Sequence, residues 1–384
     1  MKKTSEDDVV LKLLHTADWH LGRDYPSFSE EGRRKLARAR LDVLDNVFAE
    51  AERNAVDAVL CAGDLFDEPS PKRDWWEALA TKLAKKKWKR PVFLLPGNHD
   101  PLLADSVWRD PKFRSLLPDF VHVVDKDVLE YPFGHEAVLY AVPCHNKAGQ
   151  DDPTKLIPKR VAGDNRIRVA MVHGSTFDAG DRQTNFPISK DAALERGLDY
   201  LALGDTHGFR FVPPDRKLPP TIYPGTPEPT AFDESDPGHV ALVLINRQHR
   251  ATVDKRRVAH WHWEAAHLTD LGALRAMAGR ADLANRVMRL TVEMELSAPE
   301  YEEAEGLLAE LGGTEACHAK AGVLQLRREG LTLDVSNLGA QLGALPPVLQ
   351  AAVSKLQELA KDGAQRPAAE RALFHLFRAA KGTT

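Results

Sequence analysis

Cysteine is scarce in this chain: three among 384 residues, at positions 61, 144 and 317. An odd number, widely separated and without metal-ligand spacing, argues against a disulfide framework and fits a reduced, cytoplasmic setting. Long apolar runs are also missing, so nothing here reads as a membrane span. The first eight residues, Met1 to Asp8, are too charged for a signal peptide. A dominant charge sign is lacking as well. Fifty-two Lys and Arg against 56 Asp and Glu leave a formal charge of −4, which is not the balance of a strongly basic nucleic-acid binder.

What remains is ordinary for a globular protein, with 43% hydrophobic and 28% charged residues. The length suits one large domain plus a smaller one. The densest basic stretch, Lys82 to Arg90, reads either as the solvated C-terminal turn of a helix or as a phosphate-contacting patch. Cys61 lies inside an apolar run and reads as a packing residue.

Five hydrophobic runs each end in a short polar motif. Val9 to Leu14 leads to Asp18-Trp19-His20, and Ala58 to Cys61 leads to Gly63-Asp64-Leu65-Phe66-Asp67. Val92 to Leu95 leads to Gly97-Asn98-His99-Asp100, Val169 to Val172 to His173-Gly174, and Tyr200 to Leu203 to Gly204-Asp205-Thr206-His207. Short Val- and Leu-rich runs closed by Gly or Asp read as buried strands. In layered α/β sheets, ligands gather beyond the carboxyl ends of the strands. Each motif alone has a plain structural explanation, as a turn, a helix cap or a core histidine. Five together place Asp, Asn and His side chains around one point, and these are donors for hard or borderline divalent metals.

The series Asp-x-His, Gly-Asp-x-x-Asp, Gly-Asn-His-Asp, His and Gly-x-x-His resembles the calcineurin-like metallophosphoesterase superfamily. Three longer strings are more specific: His15-Thr16-Ala17-Asp18-Trp19-His20-Leu21-Gly22, Ala62-Gly63-Asp64-Leu65-Phe66-Asp67 and Tyr223-Pro224-Gly225-Thr226-Pro227-Glu228-Pro229. They are similar to the SbcD-type DNA-repair nucleases, and the likeness covers residues from about 9 to 245. The resemblance implies two divalent cations bridged by Asp64, with Asp18, His20 and His207 on one and Asn98, His173 and Asp205 on the other. Mixed oxygen and imidazole donors suit Mn2+, with Fe or Zn as other candidates. It implies that His99 faces the scissile phosphate and gives a proton to the departing oxygen. Asp67 joins His99 as a candidate catalytic residue. Asp67 and Asp100 read equally well as orienting groups and as structural ones. One departure stands out. The related nucleases usually carry Gly-His-x-His where this chain has Gly204-Asp205-Thr206-His207, so the second site gains a carboxylate.

Along the chain, strand-helix-strand-helix-strand periodicity opens a parallel sheet, with helices expected over 33–54 and from about Lys72 to Lys87. Short strands are expected from Phe120 to Val142 and from Thr221 to Val258. The expected fold is therefore α/β: two stacked mixed β-sheets flanked by helices, a small α+β cap module and a C-terminal helix pair. The expected domains are 9–258 (catalytic), 259–340 (cap) and 346–381 (helix pair). The cap should hold a helix (Asp270 to Ala278), a strand (Arg286 to Leu296), an acidic helix (Pro299 to Leu311) and a strand pair (Cys317 to Asp334). His260-Trp261-His262-Trp263 with His267 reads as an alternating strand rather than a metal site. Apolar stripes on the last two helices (Leu349, Val353, Leu356, Ala360, then Ala369, Leu373, Leu376, Phe377, Ala380) suit either self-packing or partner binding. The resemblance implies DNA as substrate and an SMC-like coiled-coil ATPase of SbcC type as partner, leaves a homodimer open, and names no DNA-contacting residue. A phosphomonoesterase, a cyclic-nucleotide phosphodiesterase and a weakly active scaffold protein are the alternatives.

Overall fold

The computed structural model describes residues 8–85, 89–133, 136–176, 185–215, 218–313, 319–335 and 346–381. Cys317 and residues 86–88 of the basic stretch lie outside the described residues. The chain divides into two compact units, residues 1–26 with 33–261 and residues 27–32 with 262–384.

The first unit begins β1 (Val9–Thr16), α1 (Glu30–Arg53), β2 (Ala58–Cys61), α2 (Arg73–Ala84), β3 (Val92–Leu94), α3 (Pro111–Leu116) and β4 (Val121–Val123). It continues with β5 (Leu129–Phe133), β6 (Ala137–Val142), β7 (Ile167–His173), α4 (Ala192–Arg196) and β8 (Tyr200–Gly204). Four strands close it: β9 (Arg210–Phe211), β10 (Thr221–Tyr223), β11 (His239–Asn246) and β12 (Ala251–Arg257). They form two mixed six-stranded sheets, ordered β12-β11-β1-β2-β3-β4 and β5-β6-β7-β8-β10-β9. In the first, β1 to β4 run parallel and β11 and β12 are antiparallel. In the second, β6, β7, β8 and β10 run parallel between antiparallel edges.

The alternation of side chains across each strand explains the layering. Leu11, Leu13, Leu60 and Phe93 from one sheet meet Leu139, Val169, Met171 and Tyr200 from the other in a shared core. The opposite face of the first sheet, through Leu14, Val59 and Leu94, packs on Val47 and Phe48 of α1 and Leu79 and Leu83 of α2. Covering both faces is what makes these strands read as nearly continuous apolar runs. Each fully buried Leu or Phe is worth roughly 1.5–3 kcal/mol, so a register slip is costly. Lys82 in the basic stretch pairs with Asp45 at 2.6 Å.

The second unit holds β13 (His262–Leu268), α5 (Leu271–Ala278), β14 (Arg286–Leu296), α6 (Ala298–Gly312), β15 (Val323–Leu333), α7 (Pro347–Leu359) and α8 (Arg366–Lys381). Its three strands are parallel, in the order β13-β14-β15. Where a strand pair is expected, one 11-residue strand is found over the described part. The polar Arg327-Arg328-Glu329-Gly330 run does not end it, because a register shift opposite Thr291 to Glu293 absorbs the extra residues. Asp270 caps α5 by accepting from Ala273 N at 2.8 Å, and Ser297 with Glu300 caps α6. Val353, Leu373, Phe374 and Phe377 of the last two helices are buried in this unit's own core with Leu290, Tyr301 and Leu308. His267 pairs with Glu293 and Trp263 packs edge-on to Phe28. Among the described residues, no group of metal-donor side chains forms there. No described helix is long and apolar enough to cross a membrane.

Candidate metal centre

The five motifs sit at the ends of β1, β2 and β3 in one sheet and β7 and β8 in the other. Main-chain hydrogen bonds tie the first two loops side by side: Asp18 N to Gly63 O (3.0 Å), His20 N to Asp64 O (2.9 Å) and Leu21 N to Leu65 O (2.8 Å). Asp100 joins the third loop to the second by accepting from Gly97 N at 2.8 Å and Phe66 N at 2.9 Å. Both its oxygens are spent on backbone, so its position in the loop framework is structural. Asp205 N donates to Asp18 Oδ1 at 3.0 Å and brings in the fifth loop.

This framework is strained. Asp18, His20, Asp64 and Asp205 all have positive φ (55°, 44°, 53° and 107°), a costly state that clusters at functional sites. Two glycines permit the close approach. A Cβ on Gly63 would stand 2.1 Å from His173 Nδ1, and one on Gly204 would stand 1.9 Å from Ala62 O.

Each of three imidazoles has its Nδ1 turned outward to an acceptor. His20 Nδ1–H donates to Asp67 Oδ1 (3.0 Å), His173 Nδ1–H to Ala62 O (2.8 Å) and His207 Nδ1–H to Glu234 Oε1 (2.5 Å). The Nε2 atoms are thereby fixed toward the centre. There they meet other electron-rich atoms. His20 Nε2 and His207 Nε2 lie 3.1 Å apart. His173 Nε2 lies 3.1 Å from Asn98 Oδ1, 3.4 Å from Asp64 Oδ2 and 4.0 Å from Asp205 Oδ1. Asp64 Oδ2 is also 3.8 Å from His20 Nε2, while its Oδ1 accepts from His99 N at 2.9 Å. Asp18 Oδ2 is buried and has no hydrogen-bond partner among the described residues. Donor atoms of Asp18, His20 and His207, and likewise of Asp18, Asp64 and His173, all fall within 4.8 Å of one another. Donor atoms gathered this closely in a buried site need positive charge between them, which a proton or a cation can supply. The mixed oxygen and imidazole donors fit divalent cations.

The protonation pattern reports the same deficit of positive charge. Burial acts to lower the basicity of His173, but Asp64, Asp18 and Asp205 outweigh it and push it up to about 10. Burial raises the Asp18 carboxyl to about 6. Burial also opposes ionisation of Asp64, yet His173, His20 and His99 hold its carboxyl well below the usual range. His20 is driven down to about 4 by burial, with Asp67 pulling the other way.

Asp67, named from its motif, turns its carboxylate to His20 and to Arg23 Nη1 (3.2 Å). His99 is the exposed imidazole of the group, with Nδ1–H donating to Asp67 O at 3.2 Å and its ring edge-on to His20 at 4.8 Å. Asp205 stands at the rim, its Oδ2 accepting from Ser175 Oγ. Three contributors escaped the sequence reading. Glu234 orients His207 and is itself held by Thr230 N at 2.7 Å. Arg40 is buried and donates to Trp19 O (2.7 Å), Asp18 O (3.0 Å), Glu228 O (2.7 Å) and Thr226 Oγ1 (2.9 Å), clamping the strained first loop. Its signal was present: a cation on the apolar stripe of α1, four residues after Leu36. Ser175 and Glu234 lie in polar stretches with no such mark.

Residues 11–209, more than half of the chain, match the sequence profile of the calcineurin-like phosphoesterases. The chain is 25% identical over 279 residues to a protein of Bacillus subtilis (strain 168) named "Uncharacterized metallophosphoesterase YhaO", covering 70% of this chain and 65% of that one. It is 23% identical over 339 residues to the SbcD component of the nuclease SbcCD of Escherichia coli (strain K12), covering 76% and 79%. It is 25% identical over 249 residues to "DNA double-strand break repair protein Mre11" of Methanosarcina acetivorans, covering 62% and 37%.

Proposed function

The chain belongs to the calcineurin-like phosphoesterase family, and from that premise we propose that it is a DNA nuclease working with two divalent cations, Mn2+ by donor chemistry. The observation that carries the metal is the set of three imidazoles whose Nδ1 atoms are engaged outward and whose Nε2 atoms converge on carboxylate and amide oxygens. Support for DNA as substrate comes from relatives named as nuclease and break-repair proteins.

In this reading Asp18, His20 and His207 would hold one cation and Asn98, His173 and Asp205 the other, with Asp64 shared between them. Such a cation pair supplies Lewis acidity toward a phosphodiester and acidifies a water nucleophile. His99 does the acid's work: its exposed ring, fixed through Nδ1, meets the scissile phosphate and gives a proton to the departing oxygen. Asp67 acts through His20 and Arg23 as a positioning residue. The first unit serves as the catalytic body. An SMC-like coiled-coil ATPase is the partner this reading expects. Val353, Leu373 and Phe377 of the last two helices are committed to the second unit's own core, whereas Val348 and Leu349 stay exposed.

The discriminating experiment offers linear DNA and a small aryl phosphate monoester to the purified protein with Mn2+. Degradation of DNA with little ester turnover is the expected result. Rapid ester turnover with intact DNA would identify a phosphomonoesterase instead.

A further inference from the structure

A cleft of about 550 Å3 opens beside the metal centre, lined by His207 and Asp205 and by the two arginines Arg23 and Arg210. Each arginine lies three residues beyond a histidine of the centre, Arg23 after His20 and Arg210 after His207. Those two histidines touch at 3.1 Å, so the cleft runs out from the chemistry rather than standing apart from it.

Arg210 is set as a pre-formed anion contact. Its guanidinium lies over the ring of Tyr223, 4.8 Å from the centroid. Tyr223 cannot yield, since it is buried, donates to Gly174 O at 2.7 Å and accepts from Thr176 N at 2.9 Å. Nη2 donates to Thr206 Oγ1 at 3.1 Å, which locks the plane and leaves most of the five N–H donors for a ligand. A stacked, planar guanidinium on an exposed strand end suits bidentate contact with a phosphate. Arg23 is similarly restrained by Asp67 Oδ1 at 3.2 Å. The cleft also has an acidic lining through Asp205, Asp233 and Glu234; Asp205 and Glu234 are turned to Ser175 and His207, while Asp233 is exposed.

We propose that this cleft is a subsite for a nucleic-acid strand, in which Arg210 and Arg23 hold a phosphate flanking the one being hydrolysed. The inference rests on the nuclease reading and adds a substrate requirement to it: a second phosphate, which a polynucleotide has and a simple diester lacks.

The test compares the parent and Arg210→Ala on a single-stranded oligonucleotide and on bis(4-nitrophenyl) phosphate. Arg210 is exposed, and a melting curve checks that the variant is folded. The preference for the oligonucleotide over the small diester is expected to fall about tenfold, through KM. In anisotropy titrations of a labelled strand, the slope of log affinity against log salt should become shallower by about 0.7, one phosphate contact on a single strand. An undiminished preference with an unchanged salt slope would overturn the subsite. Equal losses on both substrates would do so too, since Arg210 would then serve the centre itself. A parent protein that hydrolyses the small diester but neither binds nor cleaves DNA would instead remove the nuclease reading on which the subsite depends.

Discussion

Glu234 shows how much of this centre is decided one atom outside the donors. By accepting the Nδ1 proton of His207 at 2.5 Å it dictates which nitrogen carries a lone pair, and Thr230 N at 2.7 Å keeps the carboxylate from turning away. Removing such an outer partner commonly weakens a metal site by about 10–100-fold. Glu234→Ala is therefore expected to weaken Mn2+ binding, measured by calorimetric titration, by about that factor. Glu234→Gln should restore most of the affinity, because an amide oxygen still accepts from Nδ1–H. Equal affinity of the Ala variant and the parent would mean that His207 is oriented without help or is no donor. Asp205 marks the opposite case. Its residue type was conspicuous in the sequence, yet its carboxylate is shared with Ser175 and reaches His173 Nε2 only at 4.0 Å.

At the scale of elements, the strand ends were legible because apolar runs and the polar residues that stop them are local features. The site residues therefore fell out with the strands. Glu234 was not legible as part of the site, since nothing local announces its contact with His207, and Arg40 was marked only as a cation on an apolar stripe, its partners lying up to 189 positions away. β15 was read as a strand pair, whereas its polar Arg-Arg-Glu-Gly run carries a bulge that lets one strand continue along β14. The terminal helices were legible as amphipathic but not as to what they cover. Leu373 answers that, being fully buried among Leu290, Tyr301 and Leu308 of the second unit. Leu373→Ala is expected to destabilise that unit by ~2–5 kcal/mol, as a cavity in a packed core does, read from denaturant unfolding. A loss below about 1 kcal/mol would show that the stripe is not an internal packing surface.

For the molecule as a whole, a chain with a net charge of −4 concentrates carboxylates where two sheets end together. It pays for that concentration with a positive φ at four of the converging residues. Among the described residues Asp18 Oδ2 has no partner, and His20 and His207 bring their Nε2 atoms within 3.1 Å of each other. Cations bound between these atoms would resolve both, and the stability gained would grow with metal concentration by mass action. Crystals soaked in Mn2+ and measured at the manganese absorption edge give the decisive observation. Two anomalous peaks are predicted, one among Asp18, His20 and His207, the other among Asn98, His173 and Asp205, with Asp64 between them. Full occupancy of Mn2+ elsewhere, with no peak against these side chains, would contradict the metal centre outright.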